Sequence, residues 1–134
     1  MRRLLSGIAF GALGLAASMI VAPAPSSAAA ASCYGGAVGW KTGAFGLSSQ
    51  ATFGPYYASS RCVDVNLRVT SAPEADVYSA CVRFGSATAS CNYQTIVAGG
   101  SWRVIATNVK DGTKLYVSIF NGNGGSPVTG QVAY

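Results

Sequence analysis

The side chains that could carry acid–base chemistry in this sequence are its carboxylates. There is no histidine, so neither a Ser-His-Asp nor a Cys-His arrangement has an imidazole to take the nucleophile's proton. Asp64 could pair with Glu74 or Asp76 across neighbouring strands and act as the acid and base of a glycosidase, while Asp111 precedes a glycine in a turn. We favour the simpler interpretation, in which these charges are solvated at the surface, and predict that the protein is not an enzyme. No Walker loop or dinucleotide-binding fingerprint occurs, so no cofactor is predicted.

The four cysteines, Cys33, Cys62, Cys81 and Cys91, predict two disulfides, because an even number of cysteines in an exported chain normally pairs. A zinc site made of all four is the alternative. Such sites usually contain close Cys-x2-Cys pairs, which are absent here, so no metal is predicted. Apolar and polar side chains alternate along residues 62–70, and Cys62 lies on the polar side. Its partner should therefore come from a segment lying over that face, and among the possible connectivities we favour 33–62 with 81–91.

Residues 1–31 have the pattern of a signal peptide, with the basic start MRR, an apolar run over 4–22 and small residues after it. Overlapping Ala-x-Ala sites place the first mature residue near Ala31 or Ser32. A retained membrane anchor is one alternative, since a run of this length nearly spans a bilayer. A lipoprotein modified at Cys33 is another, but it would leave an odd number of cysteines. We therefore predict a secreted, extracellular protein with no membrane association after cleavage.

The predicted mature chain, residues 32–134, is the size of one small domain. Removal of Arg2 and Arg3 reduces the nine basic residues to seven, which against four acidic residues leaves a net charge of +3. These charges are scattered singly and do not form the basic cluster that is typical of a nucleic-acid surface. No nucleic-acid partner is therefore predicted.

Short apolar or aromatic runs separated by glycine, serine and asparagine predict an all-β domain. The pair Asp111-Gly112 between two such runs predicts a two-residue β-hairpin, because both residues tolerate positive φ. Six to eight antiparallel strands at regular spacing predict a single β-sandwich or a small barrel. The predicted strands are one or two irregular strands within 33–57, then 62–70, 76–84, 91–97, 102–109, 113–120 and a closing strand at 128–134.

Aromatic residues are the best candidates for binding contacts, since a ring offers a large apolar face and, in tyrosine and tryptophan, a polar edge. Tyr56 and Tyr57 are adjacent in Gly-Pro-Tyr-Tyr, which we interpret as a loop, so one of the two rings should face outward as a possible ligand contact. Trp102 shares a predicted strand face with Val104 and Ala106, and this pattern favours a place in the core.

Several stretches between Phe53 and Tyr134 carry a resemblance to other proteins. They are GPYYASSRCVDVNLRV, the pair Cys81 and Cys91, SWRVIATNVKDGTKLYV, and the closing G-x-V-A-Y of residues 130–134. In these stretches the chain resembles a set of small secreted actinobacterial proteins. The resemblance implies a secreted, disulfide-containing β-domain; it implies no activity, and it identifies no site residues. Residues 33–52 fall outside it.

The missing catalytic apparatus and the predicted rigid β-scaffold favour a non-catalytic binding or interaction protein at the cell surface or in the medium. Its partner would be an extracellular polysaccharide or a secreted protein. The alternative is an inhibitor of a secreted hydrolase, either a protease or an amylase, since a rigid exposed loop loses little entropy on binding. The inhibitory loop would then be 55–61 or 85–90.

Overall fold

The computed structural model describes most of the chain after the predicted leader. The leader, together with Glu74 and Asp76, lies outside the described residues, so what the sequence predicts for them stays a prediction. No helix in the described part is both long and apolar enough to cross a bilayer. The described residues are 32–43, 50–71, 77–120 and 126–134.

The structure is all-β, as the sequence predicts. A short 3-10 turn at Tyr34–Gly36 is followed by eight strands in the described residues. Two strands begin three or four residues later than predicted, because the predicted starts at residues 62 and 91 belong to the connecting segments. The strands are β1 Val38–Lys41, β2 Gln50–Tyr57, β3 Val65–Ser71, β4 Val77–Phe84, β5 Thr95–Ala98, β6 Arg103–Ala106, β7 Lys114–Phe120 and β8 Thr129–Ala133.

The strands form two packed antiparallel sheets of four strands each, so the predicted sandwich is confirmed. The first sheet has the order β1-β8-β3-β6, and the second has the order β2-β7-β4-β5. Among the eight strands of the described residues, only β4 and β5 are both consecutive along the chain and paired in one sheet. Every other consecutive pair of these strands is divided between the two sheets.

The core lies between the inner faces of the two sheets. Leu67 on β3 and Val117 on β7 are completely buried, as are their apolar neighbours along each strand. Each such side chain contributes roughly 1.5 to 3 kcal/mol through removal of its surface from water. Trp40 stacks on Phe53 across the sandwich at 4.8 Å between ring centroids. This ring fits because its neighbour on β8 is Gly130, where a Cβ would collide with the indole.

The predicted hairpin at Asp111-Gly112 is wrong. β6 belongs to the first sheet and β7 to the second, so the strands on either side of this turn do not pair. A two-residue hairpin turn of the expected type needs positive φ at both residues, but here only Gly112, at φ 80°, has it. Two hydrogen bonds, from Gly112 N to the Ala58 carbonyl (2.7 Å) and from Ala58 N to the Thr113 carbonyl (3.0 Å), instead direct the chain toward β2.

Both predicted disulfides are present. Cys33 is bonded to Cys62 and Cys81 to Cys91, which leaves no thiolate for a zinc ion. Cys33–Cys62 joins the segment before β1, which lies over the outer face of β3, to the segment before β3, whereas Cys81–Cys91 joins the segment before β5 to β4. Neither bond joins the two sheets through the core. The expectation that Cys62 pairs with a segment lying over the polar face is therefore confirmed. Val63, which the alternation places on the apolar face, is 69% exposed because β3 begins only after it.

Candidate functional site

The two tyrosines predicted as ligand contacts lie at the end of β2 rather than in a loop. Tyr57 is 55% exposed, as expected for one of two adjacent residues in an extended segment. The ring of Tyr56 turns inward and packs against Tyr134, with 5.0 Å between centroids, and against Phe53 at 6.3 Å. Burial, with a smaller contribution from Tyr134, raises the pKa of Tyr56 to about 12. Tyr57 is therefore the member of the pair that a ligand could reach.

The carboxylates show no acid–base pair within the described residues. Asp64 accepts a hydrogen bond from the backbone N–H of Asn108 at 3.0 Å, so its oxygen holds the segment after β6 in place. This contact gives Asp64 a structural role. In the same part of the chain, no three cysteine, aspartate or glutamate side chains come close enough together to hold a metal ion.

A shallow groove of about 400 Å³ lies beside Asp111 at one end of the sandwich. Val63 and Lys110 contribute to its lining, and a hydrogen bond from Val109 N to the Val63 carbonyl at 2.9 Å joins its two walls. The groove is open to solvent and combines one cation, one carboxylate and one exposed apolar side chain. This mixture gives no concentrated charge and no enclosed apolar surface, so it favours no particular ligand.

The outer face of the first sheet carries a cluster that combines aromatic and charged groups. The rings of Tyr34 and Trp102 lie 4.8 Å apart between centroids, with their planes tilted by 35°. The guanidinium carbon of Arg68 lies 4.9 Å from the centre of the Trp102 ring. Arg68 in turn donates to the side-chain carbonyl of Gln131, from Nε at 2.8 Å and also from Nη2. We call Tyr34, Arg68, Trp102 and Gln131 the outer platform.

The β-sheet register positions three members of the outer platform. Arg68 on β3 is directly paired with Gln131 on β8. On the other side of β3, Leu67 is paired with Arg103, so Trp102 comes next to Arg68 on the same face. A hydrogen bond of 2.8 Å from Gly100 N to the Val69 carbonyl holds the preceding turn against β3.

Tyr34 reaches the outer platform from a part of the chain that is remote in sequence. The Cys33–Cys62 disulfide fixes the segment before β1 over the outer face of β3. The Tyr34 hydroxyl then lies 3.4 Å from Oδ1 of Asn66, to which it donates a hydrogen bond. Asn66 is nearly completely buried beneath this segment, yet Tyr34 itself remains 52% exposed. The disulfide therefore presents an aromatic ring on the surface of the sheet.

The predicted place of Trp102 in the core is wrong, and a β-bulge explains why. The register between β3 and β6 shifts at Ile105, because Asn66 is paired with Val104 but Val65 is paired with Ala106. The extra residue breaks the alternation of faces. Ile105 and Ala106 are buried, whereas Val104 is 40% exposed, and Trp102 lies partly exposed on the same outer face. A strict alternation applied across a bulge assigned Trp102 to the wrong side.

The outer face of the second sheet is organised differently, around Arg83 on β4. Its Nε donates to Ser118 Oγ at 2.7 Å, and its Nη1 donates to the Ala89 carbonyl in the 85–90 segment. Ser118 Oγ is also 2.7 Å from Thr52 Oγ1. Residues 85–90 form a surface loop, as predicted, and the Cys81–Cys91 disulfide closes it. In contrast, the proposed inhibitory loop 55–61 begins within β2 and is only partly a loop.

No protein-family model matches the chain, and neither a curated protein nor a solved structure is significantly similar to it.

Proposed function

We propose that this chain is a non-catalytic binding protein that acts after secretion, at the cell surface or in the medium. The leader pattern of residues 1–31 supports export. The two disulfides agree with it, because such bonds persist in oxidising compartments outside the cytosol.

The observation that carries this proposal is the outer platform. An exposed tyrosine ring, a partly exposed indole and an arginine are held together on the surface of a rigid sheet. Aromatic residues and arginine are the side chains that contribute most to binding surfaces, because they combine large contact area with directed hydrogen bonding. The contacts within the platform fix these groups before a partner arrives, which reduces the entropy lost on binding.

The test is co-sedimentation of the oxidised protein, residues 32–134, with bacterial cell-wall sacculi, chitin and cellulose. We expect saturable depletion from solution by at least one polymer. Trp102→Ala and Tyr34→Ala should weaken this depletion, since each removes a ring from the outer platform. Tyr57→Ala is the matched control, because it removes an exposed tyrosine on the other sheet.

The outcomes of this test assign the contact surface. If Tyr57→Ala abolishes depletion while the platform variants retain it, the contact surface lies at the end of β2, as the sequence predicts. If none of the polymers depletes the protein, then sacculi, chitin and cellulose are excluded as its partners. The next experiment is then to immobilise the protein and capture secreted proteins from culture medium.

The second candidate function is inhibition of a secreted hydrolase, and the 85–90 loop is the observation that favours it. This loop is exposed, a disulfide closes its ends, and Arg83 holds it from beneath through the Ala89 carbonyl. Rigid loops of this kind suit protease inhibition because little conformational freedom is lost on binding. A subtilisin-type protease and an α-amylase should be titrated with the protein. Stoichiometric inhibition that is lost in Ala87→Arg would support this function, and full enzyme activity at a tenfold molar excess would exclude it for those enzymes.

A further inference from the structure

The guanidinium of Arg68 is held in a fixed orientation but keeps its charge. Both of the hydrogen bonds that it makes to described residues go to one neutral oxygen, the amide carbonyl of Gln131. Within the described part of the chain no carboxylate pairs with it. A guanidinium has five N–H donors, and the two that point to Gln131 leave three for another acceptor. The side chain is therefore both oriented and able to bind an anion.

The indole of Trp102 adds to this orientation and supplies an apolar neighbour. A cation over an aromatic face is attracted by the ring's quadrupole, and Arg68 lies within this range, at 4.9 Å from the ring centre. Tyr34 continues the aromatic surface and is more than half exposed. A ligand on the outer platform would thus meet an aromatic surface and, next to it, planar N–H donors that carry a positive charge.

We propose that the outer platform binds an acidic saccharide, with the pyranose ring stacked on Tyr34 and Trp102 and a carboxylate paired with Arg68. This inference rests on the binding function proposed above and names the class of ligand. The planar donors of arginine match the two oxygens of a carboxylate, and the pair is strengthened by charge. The aromatic rings match the apolar C–H face of a sugar, while their polar edges and Gln131 match its hydroxyl groups.

An acidic peptide and a nucleic acid fit the same cluster less well. Extended peptides usually add to the edge of a sheet, whereas Arg68 lies on β3, which has a neighbour on each side. Single-stranded nucleic acids stack on aromatic rings, but they also need a basic groove that follows the phosphate backbone. The seven basic residues of 32–134 are scattered singly along the sequence, which favours one anionic contact beside a stacking surface.

The experiment is calorimetric titration of the oxidised protein with a galacturonate hexamer and with its fully methyl-esterified form. The two probes share their sugar rings and differ in charge. We expect the acid to bind about tenfold more tightly than the ester, as for one added charged hydrogen-bonded pair. Raising NaCl from 50 to 500 mM should weaken binding of the acid and leave the ester unchanged, because salt screens the exposed charges.

Variants assign the contacts. Arg68→Gln should lower affinity for the acid about tenfold and remove the preference over the ester. Trp102→Ala should weaken both probes. Arg83→Gln is the matched control, since it removes the corresponding arginine from the other sheet and should leave both affinities unchanged. If Arg68→Gln does not fold, as judged by circular dichroism, Arg68→Lys replaces it; this variant keeps the charge but loses the planar fork, so the preference for the acid should fall.

Three results would overturn the proposal. Equal affinity for the acid and the ester would show that charge is not recognised, while leaving the binding function intact. Tighter binding of a dT decamer than of the hexamer would assign the platform to nucleic acid. If neither hexamer binds, the proposal that the outer platform binds an acidic saccharide is wrong. The binding function would then stand or fall with the separate sedimentation test.

Discussion

Each sheet of the sandwich carries an arginine on the outer face of an inner strand, and the surroundings of the two arginines differ. Arg83 donates to a hydroxyl on β7 and to the main chain of the loop above it, so it connects two parts of the structure. Arg68 donates twice to one side chain on the adjacent strand and lies against an indole. The same residue type is thus used once to hold a loop and once to build a surface.

The two disulfides follow the same division. Cys81–Cys91 closes the loop that Arg83 supports, whereas Cys33–Cys62 holds the segment that presents Tyr34. The difference between the faces therefore begins with what each disulfide fastens. On the second sheet it secures a covering loop, and on the first it secures an exposed ring. The loop covers part of the outer face of the second sheet, whereas Tyr34 stays exposed on the outer face of the first sheet, where a partner can reach it.

Removal of the disulfides should have the largest effect on stability. In the loop-entropy description, Cys33→Ser/Cys62→Ser should cost roughly 3 to 4 kcal/mol of unfolding free energy and Cys81→Ser/Cys91→Ser roughly 3 kcal/mol. Only the first variant releases Tyr34, so only it should reduce the near-ultraviolet circular dichroism that arises from the Tyr34–Trp102 contact. Urea unfolding and near-ultraviolet spectra of both variants check this. Equal loss of the spectral signal in the two variants would show that the faces are not independent.

Replacement of each arginine by alanine should show which of the two stabilises the fold and which contributes mainly to the surface. Arg83→Ala removes hydrogen bonds that join three elements, so we expect a loss of about 1 to 3 kcal/mol. Arg68→Ala should cost below about 1 kcal/mol, because Gln131 is partly exposed and can bond to water instead. The measurement is the urea midpoint at constant slope. If Arg68→Ala proves the more damaging variant, the outer platform is a structural cluster rather than a binding surface.

The fluorescence of the two tryptophans tests whether the charge of Arg68 is accessible on the first sheet, and here the expected effect is smaller. Trp40 is buried between the sheets, while Trp102 is partly exposed beside Arg68. We therefore expect iodide to quench the wild-type fluorescence more than caesium does, since the guanidinium attracts the anion. Trp102→Phe should remove nearly all of this quenching and leave a blue-shifted emission from Trp40. Arg68→Gln should retain the accessible emission but lose the preference for iodide; unchanged preference would place the anion elsewhere.

Local patterns in the sequence predict the strands and the side of a strand on which each residue lies, and the cysteine pairing is inferred from the side assigned to Cys62. The alternation read along residues 62–70 separates Leu67 from Arg68 and places Cys62 on the polar side, which predicts a partner outside the core. The sheet to which a strand belongs is not encoded locally. Asp111-Gly112 has the residues of a hairpin turn, yet contacts with Ala58, distant in sequence, send the chain to the other sheet.

The outer platform could not be assembled from the sequence for two physical reasons. The bulge at Ile105 changes the side of the sheet that Trp102 faces, and the residue types in this segment do not predict a bulge. Tyr34 depends on a disulfide and on a contact with Asn66, 32 residues away. The exposure of one member of the Tyr56–Tyr57 pair is predictable from the sequence, because in an extended chain adjacent side chains point to opposite faces.

That tyrosine pair offers the smallest effect, and it lies outside both arginine clusters. The pKa of Tyr56 is raised to about 12 in the folded protein by burial and by Tyr134, against about 10 when unfolded. Folding therefore favours the protonated form of Tyr56. The resulting contribution to the free energy of unfolding is fully present below pH 10. Between pH 10 and 12 the unfolded chain releases the proton first, so stability should fall as the pH rises. The effect should be small, because the ring is partly exposed and solvent screens it.

Urea midpoints measured between pH 8 and 12 should show the pH dependence that Tyr56 causes. Wild type and the tyrosine variants are compared because all of them contain the same lysines, whose effect is then the same in each. Tyr56→Phe should flatten the decline in stability relative to wild type, because the buried ring no longer carries a proton that the unfolded state releases more readily. Tyr57→Phe, which removes the hydroxyl group of the exposed neighbour, is the matched control. Parallel slopes for all three proteins would mean that Tyr56 is as solvated as Tyr57. Both rings would then be accessible, and the end of β2 would compete with the outer platform as the contact surface.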